Sequence, residues 1–406
     1  MIPGIDTISV NHLEFAVLAA GMVLLAWSPW RDRFHGALIV VSVVMVASWL
    51  SPLEFAVLAG FLLPPYLAAR FLWGRQDRAG TGLAAGIVFW EVVLFIYLRQ
   101  YAWAEIAEWL RHPVTIVGIS YMLFRVVHLV VDAPYLGHLP FSPGRYAGYV
   151  TAFWTLLSGP IQRYEAFSQG LSTIGRPSRE ECLRAAHRVV NGLIKAFLIA
   201  PVFLKGANLE GLTAANAGWL DLAIVFYSYP IYIYLNFSGY TDIMIAVSRL
   251  CGMTTMPENF DRPYLAHNVQ DFWTRWHMSF GTWIRHYVFT PLSKRLVTLG
   301  GPRWAGPMMA LAVMATFVVV GAWHGTTSNF IVFGLLHGLA IVVNGVWRSV
   351  LKAYMGKSRL KAFSQYPLVR GASVFLCFHY VCATMVFFPN SVSSVLAALG
   401  AFGGSP

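Results

Sequence analysis

Eleven stretches of this chain are apolar over close to the length of a membrane crossing: 13–29, 36–50, 53–73, 82–98, 113–131, 145–162, 185–206, 217–235, 305–323, 329–347 and 371–388. About 20 apolar residues in a helix span the hydrocarbon of a bilayer, and within it a lipid-exposed backbone must satisfy its own hydrogen bonds. Only 12% of the residues are charged, against roughly 25% in a soluble domain. The chain is therefore expected to be an all-α integral membrane protein with about eleven transmembrane helices, plus interfacial or re-entrant ones, two shorter apolar runs at 236–251 and 391–402 being left over. No Lys or Arg precedes Arg31 and no small-residue cleavage site follows the first run, so that run is expected to be a retained helix.

A net charge of +11 would suggest nucleic acid in a soluble protein, but among membrane helices Lys and Arg first report topology. Arg31, Arg33, Arg70, Arg75 and Arg78 lie at one set of helix ends, and Glu14, Glu54, Glu105 and Glu108 near the opposite ends. This puts the N-terminus outside and the 31–35 and 70–79 loops inside. From Arg348 to Arg370 six basic residues and no acidic one occur, which marks a cytoplasmic loop. Between 99 and 190 the charges disagree with a simple alternation, so one segment there is expected to be re-entrant or interfacial, with Gly159-Pro160 as the natural break. The heptapeptide LEFAVLA occurs at Leu13–Ala19 and again at Leu53–Ala59 without flanking similarity, which does not make a repeat architecture. Cys182, Cys251, Cys377 and Cys382 lack metal-type spacing and read as free thiols.

Polar residues set into apolar surroundings are the candidates for chemistry, because burying them without partners is costly. Gly321-Ala-Trp-His-Gly325 sits between two apolar runs, and His337 follows thirteen residues after His324. Basic residues before 305 and after 347 make the two runs a hairpin with His324 at its far bend, Ser328 and Asn329 suiting a helix restart. Twenty residues of helix rise about 30 Å, so a break before Trp323 would leave the histidine inside the bilayer, with His337 about 20 Å deeper toward the cytoplasm. Asn236-Phe-Ser-Gly-Tyr-Thr-Asp242 interrupts an aromatic run, and Asp242 is either a cavity-lining group or a helix-start cap. At 100° per residue Phe272, Trp273, Trp276, Phe280, Trp283, Ile284 and Tyr287 share one face and Arg285 the other, the pattern of an interfacial helix with an aromatic face in the bilayer and His277 at its border.

Six motifs in order resemble the membrane-bound O-acyltransferase family, in particular its bacterial branch of D-alanyl-lipoteichoic acid and alginate O-acetylation membrane proteins. They are Ile119-Ser-Tyr121 with Phe124-Arg125, Ser158-Gly-Pro-Ile-Gln-Arg163, Asn236 to Asp242, Pro257-Glu-Asn-Phe260, Phe272-Trp-Thr-Arg-Trp-His-Met-Ser279 and Trp323-His-Gly325. The resemblance implies many helices around a funnel and tunnel, with acyl transfer from a cytoplasmic thioester to an extracytoplasmic hydroxyl. It makes His324 the catalytic histidine and His277 the second characteristic one, with a direct part in catalysis or in the shape of the tunnel, and Trp323, His337, Asp242 and Asn236 are expected in substrate- or tunnel-lining places. Within a single polytopic domain, 1–112 would be peripheral helices, 113–347 the catalytic core and 348–406 a basic loop and helices. The chain departs from the family at His286, where an Asp is usual, and lacks the Gly-Gly-Asn that often follows Pro291-Leu292.

The family reading implies no bound cofactor or metal. The co-substrate would be a phosphopantetheinyl carrier protein or acetyl-CoA, the acceptor a polysaccharide, teichoic-type polymer or partner protein, and the place a bacterial cytoplasmic membrane. An extracytoplasmic acyltransferase partner and membrane lipid are implied as well, and nucleic acid is not. Neutral imidazole, with a pKa of about 6.5, suits His324 as general base, and the oxyanion donor could be the Trp323 indole, a backbone N–H near Gly325, or His277. The rival class is a transporter with His324, His337 and Asp242 as a proton relay; it predicts inverted repeats, which the sequence does not display. His324, His337 and His379 have no tight metal-ligand spacing.

Overall fold

A computed structural model describes residues 12–76, 78–101, 111, 114–207, 209 and 218–403, and every extended regular element among them is a helix. Glu105 and Glu108, used above for topology, lie outside the described residues. Among the described residues seven helical stretches are long and apolar enough to cross a membrane: Pro52–Leu72, Gly80–Arg99, Arg179–Gly206, Trp219–Leu250, Met278–His324, Ser328–Gln365 and Pro367–Met385. Leu24, Phe89, Leu311, Val343 and Leu376 stand exposed on helix surfaces, where lipid rather than water is the compatible neighbour. This is a multi-span membrane protein.

The chain folds as two compact units, one of Pro3–Ile194 with Gly239–Glu258 and the other of Lys195–Ser238 with Asn259–Pro406. The first holds α1 (His12–Trp27), α2 (Phe34–Ser48), α3 (Pro52–Leu72), α4 (Arg78–Arg99), α5 (Ile119–Asp132), α6 (Pro143–Val150), α7 (Tyr164–Leu171) and α8 (Arg179–Leu193). Two of these start on reciprocal caps. Ser51 accepts from the Glu54 N–H while the Glu54 carboxylate accepts from the Ser51 N–H, and Ser178 with Glu181 repeats the arrangement at α8. Glu54, counted above as a topology marker, is thus a helix cap.

Four of the eleven expected spans have another form. Among the described residues the 13–29 and 36–50 runs give helices of 16 and 15 residues, shorter than the seven crossing stretches. The 113–131 run yields α5, of 14 residues, and most of it is buried in the protein, Arg125 at its centre being 2% exposed. The 145–162 run forms the eight-residue α6, a single 3₁₀ turn at Phe153–Thr155 and then irregular chain in which Gly159 takes φ +127°. Arg125 explains why irregular backbone is stable there: its guanidinium donates to the carbonyls of Tyr149 (3.0 Å), Val150 (2.9 Å) and Thr155 (2.8 Å) and to the Thr155 hydroxyl (2.6 Å). Carbonyls that no helix satisfies are satisfied by an arginine instead.

The second unit contains α9 (Ala200–Gly206), the first part of α10 (Trp219–Leu250), α11 (Val269–Arg275), α12 (Met278–Ile284), α13 (Thr290–His324), α14 (Ser328–Gln365), α15 (Pro367–Met385) and α16 (Val392–Gly403). Helices α13 and α14 form the expected hairpin, packed backbone to backbone. A Cβ on Gly321 would meet the Phe330 carbonyl oxygen at 2.3 Å, and one on Gly334 the Phe317 carbonyl oxygen at 2.2 Å. The helix ends at His324 with no break before Trp323; its kink lies far upstream, at Gly301. Ser328 and Asn329 do not cap α14: Thr327 is the N-cap, without a side-chain bond, and the Asn329 amide donates to the Phe387 carbonyl at 2.8 Å. The basic stretch after Arg348 is not a loop. It continues α14 to Gln365 past a kink at Gly356, and α15 begins at Pro367, as good helix formers such as Lys, Arg, Ala and Leu favour.

Candidate active site

Residues 272–287 do not form the single amphipathic helix that their periodicity suggests. The chain breaks between α11 and α12 at His277, whose φ of 46° and ψ of 55° are left-handed, an uncommon conformation for a residue with a side chain. The two halves therefore do not share one face, and Phe272, Trp276, Phe280, Trp283 and Ile284 are all buried in protein instead of facing lipid. The break is held by the segment before Pro263: the Asp261 N–H donates to the Arg275 carbonyl (3.0 Å), the Met278 N–H to the Asn259 carbonyl (2.9 Å), and Phe260 and Trp276 form an antiparallel bridge.

His277 is 1% exposed, and its Nδ1 lies 3.0 Å from the Asn259 side-chain oxygen, while its Nε2 has no hydrogen-bond partner among the described residues. Its ring stacks on Phe280 at 5.0 Å, meets Phe237 edge-on at 4.8 Å and lies 6.1 Å from Trp323. His324, the half-buried last residue of α13, stands 4.6 Å from Trp323 and 6.1 Å from Phe280, with Phe388 at 5.0 Å and Phe333 at 5.8 Å, centroid to centroid. The two histidines thus share two walls, Phe280 and Trp323, whose rings stack at 4.5 Å. Phe280 also borders a cavity of about 170 Å³ lined by Trp273, Ile284, Thr316, Phe317 and Val320, with Arg285 at its edge. The backbone N–H of Gly325 already donates to Gly321, at 3.4 Å.

The remaining sequence candidates are placed differently. His337 is fully buried with both nitrogens engaged. Trp273 donates its indole N–H to Nδ1 (3.1 Å), and Nε2 donates to the Thr384 hydroxyl (2.8 Å), whose own proton goes to the Val381 carbonyl. Phe333 lies between the rings, 5.8 Å from His324 and 4.4 Å from His337. The Asn236–Asp242 stretch is uninterrupted helix inside α10, so Asp242 caps nothing; in the first unit its carboxylate pairs with Arg188 Nε at 2.8 Å. Asn236 is half-buried on the same helix, in the second unit. His286, where an Asp was expected, lies 2.8 Å through its Nδ1 from the Thr282 carbonyl of its own turn.

Sequence reading did not single out Asn259, Phe280, Phe333 or Phe388 as site residues. Asn259 stood inside a recognised motif, and the aromatics were legible only as apolar positions. Among the described residues no group of three His, Cys, Asp or Glu side chains could hold a metal ion.

The model of the MBOAT, membrane-bound O-acyltransferase family, matches residues 86–388. The chain belongs to this family. Among curated relatives, a teichoic acid D-alanyltransferase of Streptococcus thermophilus is 28% identical over 290 residues, 69% of each chain. A second teichoic acid D-alanyltransferase, of Bacillus subtilis, is 27% identical over 73% of this chain and 76% of its own. A probable alginate O-acetylase of Pseudomonas fluorescens is 30% identical over 66% of this chain but only 50% of its own length. This membrane-bound O-acyltransferase is an enzyme of acyl transfer, and His277 and His324 both lie within the matched region.

Proposed function

We propose that this membrane-bound O-acyltransferase moves an acetyl or D-alanyl group from a cytoplasmic thioester, on a phosphopantetheinyl carrier protein or coenzyme A, to a hydroxyl on the other side of a bacterial cytoplasmic membrane. The acceptor is a polysaccharide, a teichoic-type polymer or a partner protein. The observation that carries the reading is the pair His277 and His324, held around the shared walls Phe280 and Trp323.

An alcohol attacking a thioester must lose its proton as the new C–O bond forms. His324 takes that proton, the tetrahedral centre collapses, and the C–S bond breaks to release a thiolate toward the donor side. The aromatic walls keep bulk water from competing for the acyl group. His337, with both nitrogens engaged, supports Trp273 and Phe333 instead of touching substrate.

Purified protein in lipid nanodiscs, given acetyl-CoA or a D-alanyl carrier protein with a soluble polyol acceptor, tests this through release of free thiol. Loss of a general base is expected to slow turnover about 10²- to 10⁴-fold in His324→Ala. Undiminished turnover in that variant would remove His324 from the base role, and thiol release with neither donor would overturn the donor class.

A further inference from the structure

Asn259 is fully buried, and its side-chain oxygen receives three contacts: the Ser279 hydroxyl at 2.8 Å, His277 Nδ1 at 3.0 Å and the Ser279 backbone N–H at 3.2 Å. At ordinary precision an amide's oxygen and nitrogen are told apart only by what surrounds them, and so are the tautomers of a histidine. Here one neighbour is unambiguous. A backbone N–H can only donate, so the Asn259 atom that it meets must be the oxygen. His277 Nδ1 meets that same oxygen, so Nδ1 must carry the proton.

A neutral imidazole holds a single N–H, so Nε2 is then a bare lone pair. It sits on the far side of the ring from Asn259 and has no hydrogen-bond partner among the described residues. We infer that Asn259 is a positioning residue, which fixes the Nδ1–H tautomer of His277 and leaves Nε2 as a proton-accepting lone pair on a ring that shares the neighbours Phe280 and Trp323 with His324. A pyramid of local structure serves this one bond. His277 holds its left-handed backbone because the Met278 N–H is tied to the Asn259 carbonyl at 2.9 Å, and Ser279 grips the Asn259 side chain from the following turn.

The consequence is chemical. An unprotonated Nε2 repels an oxyanion, so neutral His277 is not the oxyanion donor; it is a second proton acceptor beside His324. The relation parallels the way a buried carboxylate orients a catalytic imidazole, with a neutral amide oxygen in its place and therefore without charge. The inference rests on the reading of His277 and His324 as the acyl-transfer site.

Two measurements separate the inference from that reading. The first needs no turnover: ¹⁵N spectra of histidine-labelled protein near neutral pH, with the His277 signals assigned by their absence in His277→Asn, a residue that tolerates the left-handed backbone. A protonated Nδ1 and an unprotonated Nε2 are expected, and a protonated Nε2 in the wild type would overturn the tautomer. The second is steady-state turnover of Asn259→Leu and Asn259→Asp, with Ser279→Ala as a variant that keeps the Asn259–His277 bond. Misplacing an oriented group costs about 100-fold, and Asn259→Leu is expected to lose about that in kcat with KM for the thioester little changed. Asn259→Asp keeps an acceptor oxygen and is expected to retain the Nδ1–H signal and to move the pH–rate profile, because it places a carboxylate beside the His277 ring. A Leu variant that keeps both the wild-type tautomer and wild-type kcat would sink the proposal. If wild-type protein transfers no acyl group, the spectra still decide the tautomer while the functional reading falls alone.

Discussion

A methyl group on Gly325 would lie 2.0 Å from the Phe330 ring, closer than any real contact, so the residue after His324 has to be glycine for reasons of space. Its φ of −166° is ordinary extended backbone, and no unusual conformation is involved. Gly325→Ala is expected to destabilise the protein by about 1–3 kcal/mol through overpacking, read as a lower melting temperature in detergent, and Phe330→Ala in the same chain should restore part of it. Arg125 is the opposite case, a large side chain that cannot be exchanged. Replacing it by Met leaves buried carbonyls without donors and is expected to cost about 3 kcal/mol or more, seen as loss of monodisperse protein after extraction. Lysine should not rescue it, since one ammonium cannot reproduce a planar fork serving Tyr149, Val150 and Thr155 together.

At the scale of elements, hydropathy found the long helices and misjudged the short ones. The spans at 305–323 and 329–347 and the bend at His324 were readable because apolar length and flanking charge agree there. Helix α5 and the chain around Gly159 are apolar too, but their partners are protein, and composition does not distinguish burial in protein from burial in lipid. The periodicity of 272–287 misled because a period is defined only along an unbroken helix, and the left-handed turn at His277 is imposed by Asn259, Asp261 and Phe260, which precede it in sequence by many residues. His277 and His324, the two histidines of the candidate site, were legible from motifs, whereas the contact of His277 with Asn259 was not.

The elements of the first unit are tied at one polar knot, where Arg188 of α8 reaches Asp242 and Glu258, and Arg249 joins Glu258 at 2.8 Å. The Arg188 hydrogen bond, with the charges of Arg188 and Arg249, holds the Glu258 carboxyl below the usual carboxylate range. A carboxyl with a depressed folded pKa contributes stability that is full above its unfolded value of about 4.3 and is lost as pH falls through the folded value. Melting temperatures of wild type and Glu258→Gln are therefore expected to differ at pH 6 and to converge toward pH 3. A gap that persisted at low pH would show that the carboxylate's charge is not what stabilises the knot.

For the whole molecule, the charge pattern of the sequence predicts a cytoplasmic place for the basic stretch 348–365, which is helical. Cys251, Cys377 and Cys382 are buried and Cys182 half-buried, all as free thiols, so a Cys182→Ser background makes a suitable reporter. In it, Lys352→Cys is expected to react with an impermeant maleimide only from the cytoplasmic side of membrane vesicles. Labelling from the outer side would invert the direction of transfer proposed for the enzyme.

Only residues 325–327 separate the end of α13 at His324 from the start of α14, and the two helices meet backbone against backbone at Gly321 and Gly334. Such a short connection between locked neighbours leaves no slack for a swinging arm. In the transfer proposed above His324 is therefore a stationary post, to which donor and acceptor have to be brought.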